Sequence, residues 1–230
     1  MNIEQLELID DQLRERHLAL RDENANGIIF DGIIDKDTYA LRKLRILFIG
    51  QEAYDKANDG EGGWELHYLL DNREFLNRHT SWKLTAKIAW GLHNDFNLPS
   101  ESLDITEEEA EALGRCAFIN LSKQAGGSRT SGKSATFWSE NKQIICRQVA
   151  AINPNVIIGW GVSELLRKDP EFLHCWNFHD YKATTGEDYF FTSDKIMINY
   201  DHPAYYRSNL NKQDYIHSTI ACVREWSSNK

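Results

Sequence analysis

The stretch Leu44–Asp55, LRILFIGQEAYD, is where the fold is decided. Leu44, Ile46, Leu47, Phe48 and Ile49 form a nearly unbroken apolar run that Gly50 ends. A strand buried on both faces of a parallel sheet has this look, whereas a half-buried strand alternates. The run passes straight into Gln51, Glu52, Ala53 and Tyr54, so a carboxylate stands at the carboxyl end of a core strand. In open α/β sheets that end is where ligands bind. A solvated turn explains Glu52 equally well, so the rest of the chain has to decide.

Three further runs resemble the first: CAFINL at 116–121, NVIIGWG at 155–161 and KIMINY at 195–200. Between and around them the spacing of apolar residues predicts helices over 2–22, 81–96, 137–151 and 211–227, with a short one in VSELLRK. Thr106 and Glu109 form a capping box for another helix that Gly114 suits as an end, and Pro154 stops the helix before it. Residues 27–39 read as loop and approach. Strands alternating with helices predict an α/β fold of three layers, α/β/α, around a central four-stranded parallel sheet. No repeat or linker interrupts the chain. One domain over 1–230 is expected, with an N-terminal helix and approach segment over 1–40 and the core motifs over 44–210.

The chain has 230 residues, 41% of them hydrophobic, which suffices for one sizeable core. No apolar run approaches a membrane span, and the charged N-terminus lacks a signal-peptide core, so a cytoplasmic location is expected. Cys116, Cys146, Cys175 and Cys222 lie far apart in sequence without a CxxC pair, so reduced buried thiols are expected rather than a metal site. The net charge of −9 argues against coating nucleic acid by bulk electrostatics but leaves room for a local basic face. Residues 116–139 hold no acid, only Lys123, Arg129 and Lys133, and residues 202–213 hold Arg207 and Lys212 without an acid.

Gly127–Ser134, GSRTSGKS, fits the pattern of a phosphate-binding loop. That loop needs a strand running directly into its first glycine, and here the strand ends near Leu121. A basic loop is the preferred reading, and nucleotide hydrolysis is set aside.

Polar groups do gather at the strand ends. Glu52 and Tyr54 follow the first strand, Asn120 lies within the second, and His202 and Pro203 follow the fourth. In this order the motifs GQEAY, FINL, VIIGWG and HPA resemble those of the uracil-DNA glycosylase superfamily, whose best-known branch carries GQDPY, LLLN, VVFLLWG and HPS. The resemblance covers about three quarters of the chain, roughly 44–210, and the rejected phosphate-loop match falls in that family's basic loop.

The resemblance implies a monofunctional DNA glycosylase acting in base excision repair, a monomer that binds single- or double-stranded DNA carrying an unusual base. It implies no metal or cofactor. Glu52 and His202 take the catalytic positions. Gln51, Tyr54, Trp64 and Asn120 take the base-binding positions, with Tyr68 the alternative to Trp64 for stacking. Lys123, Arg129, Lys133, Tyr205, Tyr206 and Arg207 take the DNA-binding positions. The chain departs from the family pattern at Glu52 in place of Asp, Ala53 in place of Pro and Ala204 in place of Ser. Tyr205 and Tyr206 stand where a small or aliphatic wedge is usual. These departures leave the preferred base open, and a binding module on the same fold that does not cut is the alternative.

Overall fold

A computed structural model describes residues 1–22, 26–53, 61–66, 72–102, 104–126, 133–186, 188–203 and 209–229. Its elements are, in chain order, α1 Ile3–Asp22, β1 Gly32–Ile33, α2 Lys36–Ala40, β2 Ile46–Gly50, α3 Arg73–Arg78, α4 Thr80–His93, α5 Glu107–Gly114 and β3 Ala117–Asn120. There follow α6 Ser134–Ile152, β4 Val156–Trp160, α7 Ser163–Leu166, α8 Pro170–Cys175, β5 Lys182–Ala183, β6 Tyr189–Phe191, β7 Ile196–Tyr200 and α9 Asn209–Ser228.

The expected α/β class is present, but the sheet is larger than four strands and is mixed. Among the described residues seven strands run in the order β1-β3-β2-β4-β7-β6-β5. The four apolar runs form its parallel centre, β3-β2-β4-β7. Three short strands extend it antiparallel: β1 beside β3, and the β5–β6 pair beside β7. Each has only two or three residues, too few to show a period of two, which is why the sequence pattern does not reveal them.

Side-chain alternation divides the sheet residues between two cores. Ile46, Phe48, Phe118, Ile158, Trp160 and Ile198 face a cluster built with α4, α5 and α9. Leu47, Ile49, Ala117, Ile119, Ile157 and Met197 face a second cluster with α6, α7 and α8. The chain leaves β2 for β3 through α3, α4 and α5, then returns past β2 to β4 through α6. Parallel crossovers are right-handed, so crossovers in opposite directions put their helices on opposite faces. The reversal falls at β2, which makes the carboxyl end of β2 the topological switch point.

Helix ends follow local chemistry. The capping box is formed, with Thr106 N–H donating to Glu109 Oε2 at 2.9 Å and Glu109 N–H to Thr106 Oγ1 at 3.2 Å. α6 stops where Asn153 turns left-handed at φ 51° before Pro154. The single short helix expected over VSELLRK is α7, and a second, α8, follows it. Asp169 caps α8 with Pro170 at its first position. α1 adds Leu6 to the second cluster and packs Ile9 and Leu13 against Ile28 and Phe30. Among the described residues no helix is long and apolar enough to cross a membrane.

Candidate active site

The switch point is built around a glycine. Gly50, last in β2, is paired with Asn120, last in β3. A Cβ on Gly50 would stand 2.6 Å from Asn120 Oδ1 and 3.4 Å from the Phe118 ring. Gly50 is therefore required by space rather than by backbone freedom. On its other side the register pairs Ile49 with Gly159, which places Trp160 next to Gly50 on the same face. Trp160 in turn pairs with Tyr200 of β7. A row of Asn120, Gly50, Trp160 and Tyr200 thus crosses the carboxyl end of the sheet, with one position left without a side chain.

Asn120 is buried, and its backbone N–H donates to Asp31 Oδ2 at 2.7 Å. Its side-chain Nδ2 is buried and has no hydrogen-bond partner. Such an unsatisfied donor costs about 1–3 kcal/mol, a debt that a ligand acceptor can cancel.

Beyond β3 the chain runs beside the end of β2. Leu121 and Ser122 donate their N–H groups to the Gly50 and Gln51 carbonyls at 2.9 and 2.8 Å, and Gly126 donates to that of Ala53 at 2.7 Å. Gln51 and Glu52 are half-buried there. Glu52 lies against Gly126, where a Cβ would come within 2.7 Å of its Oε2.

At β4 and β7 the site gains an aromatic wall. The Trp160 ring lies 4.8 Å from Phe118 and 5.8 Å from Trp82, and Phe118 lies 4.9 Å from Trp82. Trp160 Nε1 is buried without a partner. The half-buried His202 ring stands 5.2 Å from Trp160, nearly perpendicular to it. Burial lowers the His202 pKa below its usual value, so the imidazole is neutral at neutral pH. Gly161, at φ 69° after β4, lies against His202, whose backbone N is 3.6 Å from where its Cβ would stand.

The fold thus brings Gln51, Glu52, Asn120 and His202 to one edge of the parallel strands. Trp64 is half-buried and packs against the same core cluster as Phe118 and Trp160, with its indole Nε1 buried and unpartnered. Lys133 is exposed at the start of α6. Tyr54, Tyr68, Arg129, Tyr205, Tyr206 and Arg207 lie outside the described residues.

Lys123 is a correction. Its side chain is fully buried, and Nζ donates to Asp31 Oδ1 at 2.8 Å and Oδ2 at 3.0 Å. It faces inward because a carboxylate waits there, so it offers no charge to a DNA backbone. Burial lowers its pKa against the opposing pull of Asp31. Gln148 of α6 completes the cluster by donating to Asp31 Oδ1 at 3.0 Å.

Asp31, Phe118, Gln148 and Trp160 are residues of this region that sequence reasoning passed over. For Asp31 a signal existed: it is an acid inside IIFDGII, an apolar stretch that suits no solvated loop. β3 ends at Asn120, close to the expected end at Leu121, and residues 127–132 of the phosphate-loop match lie outside the described residues. In comparisons with known proteins, no family model matches the chain, and no curated protein matches it.

Proposed function

We propose that this protein is a monofunctional DNA N-glycosylase that hydrolyses the glycosidic bond of uracil or another deaminated or modified base. The observation that carries the reading is the buried, unpartnered Asn120 amide at the switch point, with a carboxylate after β2 and a neutral imidazole after β7. A side-chain amide donates and accepts side by side, which suits the Watson–Crick edge of a base taken out of the stack. Cleavage builds positive charge on the sugar and negative charge on the departing base. Glu52 stabilises the first and orients or deprotonates the attacking water. His202, neutral because it is buried, donates a hydrogen bond to the base oxygen that takes up charge. Lys133 serves the phosphate backbone. Trp64, Tyr54 and the segment Tyr205–Arg207 keep the stacking, methyl-excluding and helix-entering roles that the family resemblance suggests.

A second reading has one observation in its favour. Glu52 is a methylene longer than the family's Asp, and misplacement by about 1 Å can cost ~100-fold in rate. On that reading the chain recognises an unusual base without releasing it.

Base release from labelled single- and double-stranded oligonucleotides separates the two. The panel holds uracil, thymine opposite guanine, hypoxanthine and hydroxymethylated or glucosylated cytosine, with alkali to reveal abasic sites. The expected result is release of at least one base by the wild type. Glu52→Gln and Asn120→Ala lower that release on the order of 100-fold or more with folding retained. Equal release by both variants removes the site assignment. Tight binding without release by the wild type selects the binding module.

A further inference from the structure

Away from the strand ends, α6 and α8 bring together two cysteines that are distant in sequence. Cys146 lies on α6 and Cys175 closes α8. Cys146 Sγ stands 3.8 Å from the Glu171 carbonyl oxygen, and Cys175 Sγ stands 3.2 Å from that of Phe172. Those carbonyls are consecutive on one helical turn, so both sulphurs sit at the same place on α8. Glu171 lies one helical turn before Cys175, so the carbonyl at Cys146 Sγ belongs to the turn that Cys175 closes. Both are half-buried and open onto a shallow pocket of about 510 Å³ that Gln143, Arg147, Pro170 and His174 also line. The other two cysteines are placed differently. Cys116 is fully buried with its sulphur 3.6 Å from His93 Nε2, and Cys222 meets the Tyr200 hydroxyl at 3.5 Å. The expectation of four reduced buried thiols therefore holds for the burial of Cys116 alone.

We propose that Cys146 and Cys175 form a thiol–disulfide exchange site that takes small aliphatic disulfides of the glutathione class and closes into a disulfide linking α6 to α8. The roles of the two sulphurs differ. Interaction between the two lowers the Cys146 pKa, and together with burial it raises that of Cys175. Cys146 is therefore the first to ionise and attack. Its thiolate bonds to one sulphur of the incoming disulfide, whose S–S bond breaks. The expelled thiolate takes up the proton that Cys146 released. Cys175 then loses its proton to solvent and attacks Cys146 Sγ, breaking the mixed disulfide. The second small thiolate leaves and is protonated from solvent. One small disulfide is reduced to two thiols, and two cysteines are oxidised to one cystine.

The test equilibrates the full chain with graded ratios of oxidised to reduced glutathione, followed by alkylation, proteolysis and mass spectrometry. The wild type is expected to lose two of its four thiols. It should yield a Cys146–Cys175 cross-linked peptide that dithiothreitol reverses. Cys175→Ser is expected to stop with glutathione on Cys146. Cys146→Ser is expected to acquire glutathione on Cys175 roughly tenfold more slowly or worse, because the less acidic thiol supplies less thiolate. Glutathione that stays on the wild-type chain without the cross-linked peptide overturns the proposal, as does a cross-link that includes Cys222. Circular dichroism of both serine variants confirms that the comparison is made on folded chains.

Discussion

Gly50 stands between Asn120 on one neighbouring strand and Trp160 on the other, and the Asn120 amide and the Phe118 ring close over the place its side chain would take. The smallest substitution therefore carries information. Gly50→Ala puts a methyl 2.6 Å from Asn120 Oδ1, closer than any ordinary contact, so the amide or the strand has to shift. Overpacking of this kind costs about 1–3 kcal/mol. If the amide is what moves, stability changes little while base release, measured on the substrate the wild type prefers, falls on the order of 10- to 100-fold. An alanine variant with wild-type release would show that the interval beside Asn120 is not where a ligand sits. Neither Asn120 nor Gly50 looks unusual alone in the sequence. Their meaning comes from register, because each is the last residue of its strand and the two strands pair there.

At the scale of elements, the edge strand β1 is tied to the parallel centre by a buried charge pair. Asp31 precedes β1, Lys123 follows β3, and both side chains are essentially without solvent contact. Removing one partner leaves a buried charge uncompensated, which costs about 3–5 kcal/mol. Asp31→Asn and Lys123→Met are each expected to unfold at clearly lower denaturant concentration than the wild type. The double variant should recover most of the loss, and a double-mutant cycle from urea melts measures the difference. Additive losses would mean that the two charges are solvated independently. This pair also marks where sequence reading stops. The four central strands were legible because continuous apolar runs report burial on both faces. The capping box was legible because Thr106 and Glu109 carry their own geometry. At the site, Glu52, Asn120 and His202 were legible from their place after or within those runs. Lys123 was misread as a surface charge because its partner lies 92 residues away, and no local pattern encodes that distance. α8 was missed despite a local signal, Asp169 followed by Pro170, because the run before it had already been read as one helix.

For the molecule as a whole, two half-buried imidazoles set the response to acid. His93 and His202 have pKa values lowered chiefly by burial, and that of His93 falls to about 4. In the unfolded chain they bind protons near pH 6.5, before the folded state does, so their contribution is complete above that pH and is lost as pH falls. His93 alone accounts for about 2 kcal/mol at pH 5. Asp10 acts in the opposite sense: burial raises its pKa to about 6, so its proton favours the folded state between that value and its ordinary 3.8. With two groups against one, the thermal midpoint is expected to fall between pH 7 and pH 5. His93→Gln should flatten that fall, and an unchanged slope would remove His93 as its main source. The central place of β2 has another consequence, one that concerns how the chain is made. β2 is the strand on which both neighbours pair, yet its partner on one side, β4, comes about 110 residues later in the chain. At a synthesis rate of about 5–20 residues per second, Ile46–Ile49 is made on the order of 5–20 s before Val156–Gly159, which covers its second edge. Through that interval an apolar strand of the core has an open edge, which leaves the growing chain exposed to aggregation until β4 is made.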